Sequence, residues 1–232
     1  MRFAPMGLTL VGTLALGGCE VNRVRSHEAL FREADRSGLT LRAGIWATPD
    51  AGCVFEPEVS VKSWPDCANG VALPADALNR AITTPGFAVE SLLVDGDPLI
   101  LQTRWGATRP EKPERLLYEY AALKPLARDA RGELTSYEIW SVLCAPAEPA
   151  ARVADNAAAP SPAPPAAPRP PEVLPPGVTR DPEDGCLARD PEAVRTAARL
   201  TRDNGWTSPR RATWMRKRAL RDLFGREPAA RH

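Results

Sequence analysis

Apolar and polar positions alternate along most of residues 39–145, and this period of two predicts strands. LTLRAGIWA at 39–47 runs to a Pro-Asp-Ala-Gly turn, and VSVKSW at 59–64 alternates before Pro65. FAVESLLV and LILQTRW flank Asp95-Gly96-Asp97-Pro98. Asp-Gly favours a hairpin there, because its backbone twist matches the flanking strands. LLYEYAALKPLA and LTSYEIWSVLC flank RDARGE at 128–133 and read as a second hairpin with a longer loop. Glu114, Leu117 and Ala121 would also suit a helix over 114–124, but the tyrosine pair and the matching run at 134–144 favour strand.

The period changes elsewhere. SHEALFREADRSG at 26–38 predicts a short helix: Ser26 can cap it, Leu30, Phe31 and Ala34 share a side, and Gly38 can end it. PADALNRAI at 74–82 reads as a helical turn or two, with Pro74 at its start. Asp190-Pro191-Glu192 starts a helix over PEAVRTAARLTRD, which stops near Asn204-Gly205. Ser208-Pro209 starts a second over RRATWMRKRALRDLF, where Ala212, Met215, Ala219 and Leu223 would form a narrow apolar stripe. Residues 146–178 contain eleven prolines and almost no bulky apolar residue, so they favour extended backbone of ~3 Å per residue. The expected fold class is α+β: a small antiparallel β-rich domain (sheet or partial barrel) at 39–145, a Pro/Ala-rich linker at 146–178, and two helices in a basic C-terminal segment at 179–232.

The first residues change the setting. Met1-Arg2 precede a short apolar stretch with no charge until Glu20, the layout of a secretory signal over 1–18. The stretch is shorter than the ~20 apolar residues of a membrane span, and prolines and glycines interrupt it. Leu16-Gly17-Gly18-Cys19 resembles the lipobox of bacterial lipoproteins: an apolar residue, two small residues and a cysteine. The resemblance implies cleavage before Cys19, a diacylglycerol thioether on its sulfur, and usually an acyl chain on the new amino group. Two or more chains hold a membrane stably, at ~0.8 kcal/mol per buried CH₂. Residues 19–38 would then be the lipidated tether and the short helix. The same resemblance implies an outer-membrane location facing the periplasm, since Glu20, not Asp, follows the cysteine.

Loss of 1–18 removes Arg2 and takes the formal charge from +1 to zero, so the mature chain has no global attraction for nucleic acid. Five cysteines are an odd number for an exported chain, and lipidation of Cys19 leaves an even set in an oxidising compartment. Of the three pairings open to Cys53, Cys67, Cys144 and Cys186, we favour Cys53–Cys67, which closes a short loop, and Cys144–Cys186, which brackets the proline-rich stretch. A metal site is the rival reading, but no CxxC occurs and the histidines are His27 and His232 only, so no metal is expected.

Gly44-Ile45-Trp46 resembles the first motif of lipocalins, small β-barrels that bind apolar ligands, in which such a tryptophan plugs one barrel end. That resemblance implies a small-ligand binder as the alternative function; against it stands a core tryptophan in an unrelated sheet. Trp64 beside Cys67 reads as packing on a disulfide, with an exposed sugar-binding ring as the alternative. Arg210, Arg211, Arg216, Lys217, Arg218 and Arg221 lead a basic run of eight cations against two acids in 205–232. A basic amphipathic helix can lie on an anionic lipid surface or meet an acidic partner; it can equally dock its stripe on the β domain and leave the charges in solvent. Catalysis lacks a base in a suitable place. The carboxylate pairs Asp95/Asp97 and Glu111/Glu114 fall in turn-like sequence, and no P-loop or dinucleotide glycine pattern occurs, so neither an enzyme nor a cofactor is expected. The expected role is structural or interaction-based, in an envelope protein anchored to the membrane through Cys19.

Overall fold

The structure, a computed structural model, describes residues 22–84, 87–106, 117–146 and 173–217. Among them are eleven strands and one α-helix: β1 (Val24–Ser26), β2 (Gly44–Ala47), β3 (Val71–Leu73), β4 (Ala81–Thr84), β5 (Phe87–Val94), β6 (Leu99–Gly106), β7 (Tyr118–Arg128), β8 (Leu134–Ser141), β9 (Val178–Asp181), β10 (Gly185–Ala188), α1 (Pro191–Asp203) and β11 (Arg210–Arg216). The class is β-rich α+β. The main limb is antiparallel throughout, in the order β4-β5-β6-β7-β8-β11-β2-β3. A second limb branches from the edge of β7 where β8 ends. There Arg25 and Ser26 of β1 pair with Glu119 and Tyr118, and β10 and β9 follow, β10 running parallel to β1.

Both hairpins anticipated from turn chemistry form, β5–β6 around 95–98 and β7–β8 around 129–133. In the second, Asp129 Oδ1 accepts the backbone N–H groups of Arg131 and Glu133, at 2.9 and 3.2 Å. Of residues 114–124, 118–124 are strand, the first part of β7, and Leu117 precedes it.

The central strands bury both faces, so alternate residues enter different cores. Ile100, Tyr120, Ala122, Trp140 and Val142 face one way and pack with Val24, Phe31 and the apolar side of α1. Leu99, Leu101, Leu123, Tyr137 and Ile139 face the other way and pack with Leu41, Trp46, Leu78, Leu93 and Ala212. Full burial of each large aliphatic side chain contributes about 1.5–3 kcal/mol. A third cluster sits behind β2, around Ile45, Ala47, Trp64 and Ala68.

Helix α1 begins as its sequence requires. Asp190 Oδ1 accepts the Ala193 N–H at 2.8 Å, and this bond holds the Asp190 carboxyl below its ordinary pKa. Ala193, Val194, Ala197 and Ala198 form the buried side, and their small size lets the helix lie close to the sheet. Two bonds lock it there. The Trp140 indole N–H donates to the Ala198 carbonyl at 3.2 Å, and Thr201 Oγ1 accepts the Leu143 N–H at 2.9 Å.

Four expected elements differ. Over 74–82 there is no helix but a pair of turns, with the Ala77 N–H on the Pro74 carbonyl at 3.2 Å and the Asn79 N–H on the Asp76 carbonyl at 2.8 Å, and β4 begins at Ala81. The helix over 26–38 is absent; β1 ends at Ser26, and the only helical turn is a 3-10 turn at Glu33–Asp35. Ser26 does not cap a helix, because its hydroxyl donates to the Glu28 carbonyl at 2.6 Å and shares a 2.5 Å bond with the Tyr120 hydroxyl. Gln102 replaces the helical bonds of Phe31 by accepting its N–H and donating to its carbonyl, both at 3.1 Å. VSVKSW is not a strand: Val61–Ser63 is a 3-10 turn in the loop that Cys53 and Cys67 close. The second C-terminal helix is also not formed over its described part. Residues 210–216 are β11, paired on one side with β8 and on the other with β2. A sheet edge on each side supplies backbone partners that outweigh a weak helical stripe.

Both favoured disulfides are present, Cys53–Cys67 and Cys144–Cys186, with Cα–Cα distances of 5.7 and 6.3 Å. The second joins the end of β8 to β10, so residues before and after the proline-rich segment belong to one sheet. Cys144→Ser or Cys186→Ser should lower stability by about 2–5 kcal/mol in denaturant titrations, and non-reducing peptide mapping should recover both bridges.

Burial raises the phenol pKa of Tyr120 and Tyr137 from 10.0 to about 12. The folded chain therefore keeps protons that the unfolded chain loses. Stability should be level below pH 10 and fall as pH rises toward 12, and ultraviolet titration should show the late phenols vanish singly in Tyr120→Phe and Tyr137→Phe.

Candidate functional site

Among the described residues, one concave feature is an open cleft of about 370 Å³ between the 29–36 segment and the outer limb of the sheet. Ser91 and Leu92 of β5, Gln102 of β6 and Tyr118 of β7 line it, with Ala29, Glu33 and Arg36 on one wall and Asn79, Arg80 and Glu90 on the other. Leu92 and Gln102 are directly paired across β5 and β6, so they share a face.

The polar groups beneath the cleft are committed to the fold. Gln102 holds Phe31 by both backbone groups. Asn79 accepts the Leu93 N–H at 2.7 Å, and Arg36 Nη1 donates to the Asn79 carbonyl at 3.1 Å. These bonds cover the edge of β5 beyond the end of β4, which protects it from pairing with another chain. The rim carries opposed charges. Arg36 pairs with Glu33 and holds its carboxyl below the usual carboxylate range. Arg80 lies 3.7 Å from Asp76 and Arg104 lies 3.6 Å from Glu90. The Arg104 guanidinium is 5.8 Å from the Tyr118 ring centre.

Residues singled out from sequence lie elsewhere. Cys19 is outside the described residues, as are Arg218, Arg221, Glu111, Glu114 and His232. Three of the described cations of the basic run, Arg210, Arg211 and Arg216, engage the fold. Arg210 donates to the Thr48 carbonyl at 3.0 Å and pairs with Asp50 at 2.9 Å. Arg216 donates to the carbonyls of Pro57 and Val59, at 2.9 and 2.7 Å, and so clasps the disulfide loop. Arg211 lies 3.8 Å from Glu138, and Lys217 is exposed. The expected stripe is split: Ala212 is buried in the core around Trp46, while Met215, at a bulge in β11, packs in the cluster behind β2. Asp95 and Asp97 are exposed in the β5–β6 turn, and His27 lies 3.6 Å from Asp184.

Trp46 is fully buried, packs on Tyr137 with ring centres 5.4 Å apart, and donates to the Arg42 carbonyl at 3.0 Å. Trp64 is buried against Phe55, with ring centres 4.7 Å apart, in the cluster that includes Cys53. The cleft was not singled out from sequence. Gln102 was its one legible signal: a polar residue on the same strand face as Ile100, inside LILQTRW. No protein-family profile, curated protein or solved structure matches the chain.

Gly44, the first residue of the Gly-x-Trp motif, has φ +151, and a Cβ there would fall 2.4 Å from the Arg216 carbonyl oxygen. Its absence of a side chain lets β2 and β11 close. Gly44→Ala should destabilise the fold by about 1–3 kcal/mol, read as a lower midpoint in thermal melts, because the clash is with backbone that cannot rotate away.

Proposed function

We propose that this chain is a lipid-anchored protein of the bacterial envelope, facing the periplasm from the outer membrane, with a non-enzymatic role in structure or protein interaction. The observation that carries the reading is the use of the cysteines. Four pair in two disulfides, and the fifth, Cys19, stands in a lipobox-like sequence. Disulfides belong to oxidising compartments, and a lipobox gives the odd cysteine a chemical use. Ionisable groups serve mainly to staple the fold, as with Arg23 and Arg25 on Glu119 and Arg210 on Asp50, which supports a non-catalytic role. The mixed-charge cleft is the surface we assign to a protein partner.

Cys19→Ser should abolish both incorporation of labelled palmitate and retention in the membrane fraction; a mutant that still takes up palmitate sinks the anchoring. A photo-crosslinking residue at exposed Glu90 should capture one discrete protein in whole cells. Capture should be lost when Arg36 and Arg80 are both replaced by Glu, while the disulfides remain intact.

A further inference from the structure

We propose that the pole of the domain around Asn22 and Pro146 rests on the lipid headgroups of the membrane that holds the anchor, with the β7–β8 hairpin as the outward tip; this rests on lipidation at Cys19. A free tether and helix over 19–38 would let the domain stand clear of the bilayer. The fold leaves no such length. Asn22 is already buried: its side-chain N–H donates to the Pro146 carbonyl at 2.7 Å, its side-chain oxygen accepts from Arg180 at 3.1 Å, and its carbonyl accepts the Cys144 N–H at 3.0 Å. Two residues on, Val24 is a fully buried member of the sheet. Only Glu20 and Val21 stand between Cys19 and this fixed point.

Three residue steps span at most about 10 Å when fully extended. The headgroup layer on each side of a bilayer is itself roughly 5–8 Å thick. Asn22 therefore cannot leave the surface that Cys19 enters. Strand β8 runs from Leu134 toward Cys144 and Pro146, so the opposite end of its hairpin, at 129–133, lies roughly 30 Å away at ~3.3 Å per residue. The leash keeps the surface around Asn22 at lipid and leaves the β7–β8 hairpin on the side away from it.

The test uses the full lipidated chain in phosphatidylethanolamine–phosphatidylglycerol vesicles containing a tagged phospholipid. A benzophenone residue is placed at Pro146 or at Ala130, both exposed. The Pro146 position contributes only its backbone carbonyl to Asn22, so the bond survives replacement. Lipid crosslinking should be several-fold greater from 146 than from 130. A flexible Gly/Ser spacer of about 20 residues between Val21 and Asn22, with a reach of ~25 Å, should bring the two yields together. Equal yields in the native chain, a greater yield from 130, or a bias that survives the spacer each overturn the proposal. Mass spectrometry of the same samples separates the two readings. A diacylglyceryl adduct on Cys19 with equal yields overturns the orientation alone, whereas no adduct overturns the anchoring and the orientation together.

Discussion

The three residues of β1 hold together parts of the chain that are far apart in sequence. Val24, with no exposed surface, lies between the end of β8 and β10, and Arg25 pairs with Glu119 of β7. This seam fills the place where β8 leaves β7 and would otherwise expose the β7 backbone. Above it, Arg23 and Arg25 converge on the Glu119 carboxylate at 3.2 and 2.8 Å, with all three side chains mostly covered. Breaking such a pair leaves a partly desolvated charge, so the arrangement is costly to disturb even though its net contribution is modest.

The rest of the second limb follows from the seam. Once β10 lies beside β1, Cys186 is held within bonding distance of Cys144, and α1 starts directly after β10 with its alanine side toward the sheet. Trp140 and Thr201 then fasten the helix by bonds that a less close approach could not make. The same seam brings Asn22 against Pro146, so the anchor-side end of the chain and the start of the proline-rich stretch meet at one pole.

The arginines show how little a charge run says about its target. Exposed ion pairs contribute about 0–1 kcal/mol each, and Arg211 with Glu138 is of this kind. Arg210 and Arg216 differ because they donate to backbone carbonyls of the 48–59 loop, which has little regular structure to satisfy them. They give that loop a fixed seat beside β11, together with its disulfide.

Elements with local causes can be read from the chain alone. The β5–β6 and β7–β8 hairpins follow from turn residues and alternation, and α1 from Asp190-Pro191, whereas cysteine number and spacing only favoured one of three pairings, the one the structure holds. Tertiary structure decided the parts whose backbone partners are distant. Residues 24–26 and 210–216 have no local preference strong enough to choose an element, and each becomes a strand because a sheet edge is waiting some 70 to 170 residues away in sequence. Ala212 and Met215 have helical spacing, yet the two-residue period of a strand puts positions three apart on opposite faces, so a stripe read with the helical period is split. The cleft was hidden for the same reason. Its walls come from segments near 33, 80, 90, 102 and 118, which become neighbours only when hydrogen bonding between strands sets their register.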